Sequence, residues 1–230
     1  AMEHAGLGIE ALRGSPTGVF LGLFAQDWER RLLSAGIKPD GHFATGTSNA
    51  IAAGRLAYAF GFGGPALAVN TACSSSLVAV HLAIQSLRRG ESKVALAGGV
   101  SLMLMPDLTR AFADAGMLAE DGRCRPFDSA AGGYARSEGV GIVVLKRLSQ
   151  ARADGDRVLA VLRGSAINQD GASNGLTAPS GVAQRAVIAA ALDDAGLAPA
   201  EVDAVEAHGT GTPLGDAIEA AALAEAYGIG

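Results

Sequence analysis

A chain of 230 residues and 23.0 kDa can bury a sizeable core yet is short for two full domains, so one α/β-sized unit or two packed halves is expected. Charged residues make up 18 %, against roughly 25 % in a typical soluble chain, apolar residues reach 49 % and mean hydropathy is +0.28, which excludes disorder. The net charge is −5 and the basic residues stand singly or in pairs, which leaves no footprint for nucleic acid or an anionic membrane surface.

The chain opens within what reads as the tail of a helix ending at Gly6. After Thr17-Gly18, residues 19–24 form an apolar strand, and residues 27–35 carry helix formers up to the stop at Gly36. Residues 66–69 are an apolar strand end, residues 77–87 place apolar side chains at 77, 80, 84 and 87 before Gly90, and residues 94–97 are again strand-like before Gly98-Gly99. This is a β-turn-α-β unit. No formal charge occurs over the 32 residues 56–87, a length that would admit a membrane span, but Gly61, Gly63, Gly64, Pro65, Asn70 and the serines 74–76 interrupt it. A buried strand and helix of a soluble protein is the better reading.

Further strands are predicted at 139–145 and 158–163, separated by a polar connection at 146–157 that marks the internal boundary. Ser180 then caps a helix through Asp194 that stops at Gly196, and a strand over 202–207 ends at His208. The glycine-rich turn 209–215 leads into a helix over 216–227, stopped by Gly228. Near-continuous apolar strands alternating with helices predict a parallel sheet covered on both faces. Two cysteines make no disulfide framework and no secretory leader is visible, which points to a reduced, cytoplasmic setting. Both ends are abrupt, as though the chain were cut from something longer.

Cys73 lies in Asn70-Thr71-Ala72-Cys73-Ser74-Ser75-Ser76, between the strand end and the helix of the β-turn-α-β unit. A thiol there faces unpaired helix amides and the positive end of the helix dipole, which favour a thiolate nucleophile, and nearby amides can receive an oxyanion. The competing reading is a small buried hydrophobe. Cys124, between Arg123 and Arg125, is the rival nucleophile, but its turn-like surroundings offer no helix amides for a reacting carbonyl, so it reads as structural.

Of the four histidines, His81 lies eight residues after Cys73 on the same helix, about 12 Å along its axis, and reads as packing. His4 and His42 read as surface residues. His208 ends a strand and opens the glycine-rich turn, the place on an open α/β sheet where ligands meet catalytic groups. That turn lacks a lysine and matches neither the Walker nor the dinucleotide pattern, so a nucleotide site is disfavoured. Thr210 and Thr212 alternate with its glycines, suiting a polar, extended, amide-bearing ligand. Asp216 and Glu219 have the spacing of a capping box for the following helix. No His, Cys and carboxylate cluster has metal-liganding spacing, so no metal is expected.

Residues 71–81, with Thr71-Ala72-Cys73-Ser74-Ser75-Ser76, and residues 206–216, with His208-Gly209-Thr210-Gly211-Thr212, closely resemble the two signature segments of the β-ketoacyl synthase (ketosynthase) domain of modular type I polyketide synthases. Residues 54–58, 122–128, 138–148 and 168–171 extend the similarity over essentially the whole chain. The resemblance implies the thiolase-like fold, layered αβαβα with two related halves and incomplete here at both ends, with residues 1–146 in the N-terminal half and 147–230 in the C-terminal half, and a homodimer. By that resemblance Cys73 takes an acyl chain as a thioester from an acyl carrier protein. His208 assists decarboxylation of a malonyl-type extender, whose carbanion attacks to give a β-ketoacyl thioester. Thr210 and Thr212 match positions contacting the phosphopantetheine arm, which the carrier brings; this chain itself binds no cofactor. The implied activity is that of an acyltransferase of the 3-oxoacyl synthase type.

Asn70 stands where this branch usually has Asp, and Gly132 where an Asp is common. The family's second histidine and its lysine belong to a segment that should follow His208 by a few tens of residues, beyond the last residue here. An internal fragment, inactive by itself, is therefore expected. The alternative classes are a non-catalytic ketosynthase-like partner subunit, which would lack the cysteine, and a cysteine hydrolase.

Overall fold

A computed structural model describes residues 1–228. In chain order its helices and strands are α1 (Ile9–Leu12), β1 (Thr17–Leu23), α2 (Asp27–Ser34), α3 (Phe43–Thr47), α4 (Asn49–Phe60), β2 (Ala66–Val69), α5 (Ser75–Arg89), β3 (Val94–Ser101), α6 (Asp107–Asp114), β4 (Gly139–Lys146), α7 (Leu148–Asp154), α8 (Gly181–Ala195) and α9 (Pro213–Tyr227). They fall into two compact units, the first comprising Ala1–Met105 with Ser137–Val161 and the second Pro106–Arg136 with Leu162–Gly230.

The first unit is built on β1. Its residues from Thr17 to Leu21 are buried, as an interior strand with both faces covered requires. Because side chains alternate along a strand, Val19 and Leu21 pack with Ala53 and Ala57 of α4, Phe62 and Leu96, while Phe20 packs with Ala79, Ala83 and Leu87 of α5, Ala95 and Ala97. Helices therefore cover opposite faces of one sheet. The strand order is β2-β1-β3-β4, with β1 parallel to β2 (Val19 opposite Ala66) and to β3 (Val19 opposite Leu96).

The sequence reading is corrected in three places. β4 runs antiparallel to β3, with Ala97 opposite Val143, so the sheet is mixed rather than purely parallel. Residues 158–163 and 202–207 form no ladder among the described residues. In the first of these the chain meets a helix end instead of a strand edge: Arg163 donates to the Ala195 carbonyl at 3.0 Å, and a Cβ on Gly164 would stand 2.4 Å from the Ala195 nitrogen. At the start of the chain there is one turn, closed by the Ala5 N–H on the Ala1 carbonyl at 3.0 Å, and no helix before Gly6.

Gly90, Gly196 and Gly228 close α5, α8 and α9 in the left-handed conformation as expected, and Ser180 caps α8 by accepting the Ala183 N–H at 3.3 Å; Gly61 and Gly155 close α4 and α7, which the sequence reading did not predict, in the same way. Among the described residues no helix is long and apolar enough to cross a membrane.

Candidate active site

In the first unit, Cys73 sits in a single 3-10 turn, Ala72–Ser74, between β2 and α5, and its side chain is exposed. The reading of Cys73 as a buried small hydrophobe is therefore set aside. Ala72, immediately before it, is in the left-handed region with φ +54, a conformation that costs a non-glycine residue free energy and that neighbouring groups must hold. Three side chains do so. Asn70 Oδ1 accepts the Ala72 N–H at 3.2 Å while its Nδ2 donates to the Phe24 carbonyl at 3.4 Å. Ser74 Oγ lies 2.9 Å from both the carbonyl and the hydroxyl oxygen of Thr71. Ser75 Oγ accepts the Thr71 N–H at 2.9 Å and donates to the Ala72 carbonyl at 2.6 Å. The amide of Asn70 thus donates as well as accepts, which an aspartate carboxylate would not do.

The sheet beneath makes this elbow possible. Gly22 of β1 lies opposite Gly99 of β3; a Cβ on Gly22 would stand 2.6 Å from the Ser75 carbonyl carbon, and one on Gly99 would stand 2.9 Å from the Ser76 Cβ. Only glycine at both positions lets the first turn of α5 rest directly on the strands. His81 is half-buried on α5, and His4 and His42 are exposed.

In the second unit, one turn carries His208, Thr210 and Thr212. His208 is exposed, whereas Thr210 and Thr212 are half-buried with their hydroxyls 2.9 Å apart. Thr212 is the N-cap of α9, accepting the Gly215 N–H at 3.2 Å, and Pro213 fills the first helical position. Thr212 Oγ1 therefore meets both the Gly215 N–H and the Thr210 hydroxyl, and in the hydroxyl pair either oxygen can be the donor.

Asp216 and Glu219 do not form the expected capping box. The helix starts three residues earlier than the sequence suggested, so both carboxylates stand inside it and reach back over the turn. Glu219 accepts the His208 N–H at 2.7 Å on Oε1 and the Gly209 N–H at 2.8 Å on Oε2. Asp216, 6 % exposed, accepts the Gly211 N–H at 3.0 Å on Oδ1 and the Phe127 N–H at 2.6 Å on Oδ2. Phe127, like Ala72, is left-handed, with φ +59. Gly209 and Gly211 are left-handed too, and a Cβ on Gly211 would stand 2.9 Å from the Gly133 carbonyl oxygen. Spacing three apart on a helix was the available signal that Asp216 and Glu219 act together; that their partners lie behind the helix was not readable.

Cys124 is exposed and lies against the same turn, its Sγ 3.5 Å from the Gly209 carbonyl oxygen. Arg125 beside it is engaged: its guanidinium hydrogen-bonds Asp121 at 2.6 Å and so holds that carboxyl below the usual aspartate range. Among the described residues no group of three or more His, Cys and acidic side chains is arranged to hold a metal ion.

Each unit thus assembles a distinct piece of chemistry: a thiol on a strained strand-to-helix elbow in the first, and a histidine-threonine turn clamped by two carboxylates in the second. Residues 1–151 match the family model for the beta-ketoacyl synthase N-terminal domain, and residues 159–230 match that for its C-terminal domain. The chain is 57 % identical over its full length to polyketide synthase GfsA of Streptomyces halstedii, of which it covers 3 %. It is 55 % identical over 99 % of its length to erythronolide synthase EryA2 of Saccharopolyspora erythraea, of which it covers 6 %. Among solved structures, the ketosynthase from module 6 of the bacillaene synthase from Bacillus subtilis 168 superposes with a TM-score of 0.90 at 42 % identity, over 99 % of this chain and 39 % of that one. The oxazolomycin ketosynthase domain OzmH KS7 of Streptomyces albus JA3453 gives 0.91 at 44 % identity, over 98 % and 39 %. The chain therefore spans well under half of the solved ketosynthase chains it matches. Fold and sequence agree that this chain is thiolase-like in architecture and belongs to the β-ketoacyl synthase family, as a ketosynthase of the polyketide synthase kind.

Proposed function

We propose that this chain supplies the acyl-accepting thiol and one catalytic histidine of a decarboxylative Claisen condensation. The Cys73 thiolate attacks the carbonyl of an acyl thioester delivered on an acyl carrier protein; the carrier thiol leaves and the acyl chain is held on Cys73. A malonyl-type thioester then loses carbon dioxide, assisted by His208 at its developing enolate. The resulting carbanion attacks the Cys73 thioester, the Cys73–acyl bond breaks, and a β-ketoacyl thioester departs on the carrier. Donors aimed at the thioester and enolate oxygens lower both barriers. Thr210 and Thr212 are proposed to receive the amide-bearing phosphopantetheine arm, which belongs to the carrier, through their paired hydroxyls. A homodimer in the cytoplasm is the proposed setting.

The observation that carries this reading is the exposed thiol of Cys73 at an elbow built by Ala72 in the left-handed conformation. Exposing the full-length protein to an acyl thioester and mapping its peptides by mass spectrometry tests it. A stable acyl group on Cys73 is expected. Rapid release of free acid would indicate a hydrolase, and a protein that takes no acyl group would be a non-catalytic partner subunit.

A further inference from the structure

Around the nucleophile, Thr71, Ala72, Cys73 and Ser74 are all exposed, but Ser75 is buried, with 6 % of its surface accessible. Its hydroxyl is fully used. It accepts from the Thr71 N–H, in the peptide before Thr71, and donates to the Ala72 carbonyl, in the peptide that joins Ala72 to Cys73, so a single oxygen ties the chain together across the left-handed residue. Ala72 is unfavourable in that conformation by itself, and an aliphatic residue at position 75 would leave a polar N–H and a carbonyl of the elbow without their partner. The backbone of Ser75 is fixed in turn from below, because the space a Cβ would need at Gly22 is taken by the Ser75 carbonyl group. The oxygen is thus anchored to the sheet on one side and grips the peptides beside the nucleophile on the other.

We infer that Ser75 is a positioning residue for the Cys73 thiol: its hydroxyl holds Ala72 left-handed and thereby sets the direction in which the Cys73 side chain leaves the elbow. The inference rests on Cys73 being the acyl-accepting thiol. It assigns a role to a serine of the Ser74-Ser75-Ser76 run that acts through the backbone rather than on the sulfur or the substrate.

The test uses Ser75→Ala, Ser75→Thr and Ser76→Ala in the full-length protein. Peptide-resolved mass spectrometry follows acylation of Cys73 by a soluble acyl thioester and alkylation of both cysteines by iodoacetamide, with Cys124 as the internal reference. Ser75→Ala should slow Cys73 acylation about 10-fold or more while leaving Cys124 alkylation unchanged, and Ser75→Thr, which keeps the hydroxyl, should restore the rate to within about threefold. Ser76→Ala, which keeps the Cβ that packs at Gly99, should behave as wild type. Acylation of Ser75→Ala within about twofold of wild type, equal slowing of both cysteines, or no rescue by threonine would each overturn the inference. Should Ser75→Ala not fold, Ser75→Thr decides: a folded threonine variant with an unreactive Cys73 overturns it, and a wild-type rate supports it. If wild type itself takes no acyl group, the catalytic reading fails separately, and the ratio of Cys73 to Cys124 alkylation across the same variants still decides the positioning role.

Discussion

Removing the Glu219 carboxylate should cost both stability and decarboxylation, because it is the clamp that holds the His208 turn onto α9. It accepts two backbone N–H groups, from His208 at 2.7 Å and Gly209 at 2.8 Å, each bonded to a different oxygen. A hydrogen bond to a charged group contributes about 1.5–3 kcal/mol when shielded; with His208 exposed, water replaces part of this, and about 1.5–3 kcal/mol for the pair is the reasonable total. At about 2–4 °C per kcal/mol for a protein of this size, Glu219→Ala should melt roughly 3–12 °C below wild type. Glu219→Gln keeps one accepting oxygen and points an N–H donor at the other amide, so it should fall between the two. The chemical consequence is larger: a displacement of about 1 Å of His208 slows catalysis on the order of 100-fold. Malonyl decarboxylation by the full-length protein, read as carbon dioxide release, measures this alongside the melt. Wild-type melting and wild-type decarboxylation in both variants would refute the clamp.

Gly22→Ala should disrupt the elbow by driving a Cβ to 2.6 Å from the Ser75 backbone; Cys73 acylation should fall sharply, whereas Gly139→Ala, at a position where a Cβ meets nothing within 4 Å, should have little effect on the same acylation assay. Ala72→Gly should not lower the melting temperature, because relief of about 1–2 kcal/mol of left-handed strain exceeds the roughly 0.5–1 kcal/mol of extra chain entropy; a drop of several degrees would show that Ala72 is unstrained. Lys146 bonds both Asp154 and Asp156; burial lowers its pKa, but those bonds outweigh burial and raise it above the ordinary 10.5, while the Lys146 hydrogen bond holds Asp154 below the ordinary 3.8. The stabilisation from Asp154 is present above the ordinary aspartate value and is lost as pH falls through the depressed one; that from Lys146 is lost only as pH rises beyond its raised value. Lys146→Met should therefore melt below wild type near neutral pH, and the difference should vanish in strong acid; a gap independent of pH would contradict this.

Much of this molecule was legible in its sequence. β2 has the bounds predicted from its apolar run, and the end of α5 could be placed because Gly90 is a reliable helix stop. The elbow could be located because Cys73 falls where an apolar strand end gives way to a helical repeat, and the chain must turn there. α4 was not picked out, although Ser48 before it and Gly61 after it are a cap and a stop; its alanine-rich repeat, buried only at Ala53 and Ala57, carries little amphipathic contrast. The direction of β4 was not readable, because an apolar strand looks the same whichever way its partner runs. The paired carboxylates of α9 were visible as a spacing but assigned to the wrong amides, since Thr212 already caps the helix and frees Asp216 and Glu219 for the loop. What escaped, in general, was set by backbone geometry far away in sequence: Phe127 and Gly211 meet on Asp216 from opposite sides of a long connection.

The most direct test of the central claim follows both ends of the reaction at once. The full-length protein is given an acyl thioester and a malonyl-loaded carrier protein, and the carrier-bound product is weighed for wild type and for Cys73→Ala. Wild type should place on the carrier a β-ketoacyl chain whose mass equals the acyl group plus the decarboxylated extender, by way of acylated Cys73, and Cys73→Ala should yield none. Formation of that product by Cys73→Ala, or its formation by wild type with Cys73 never acylated, would contradict the mechanism.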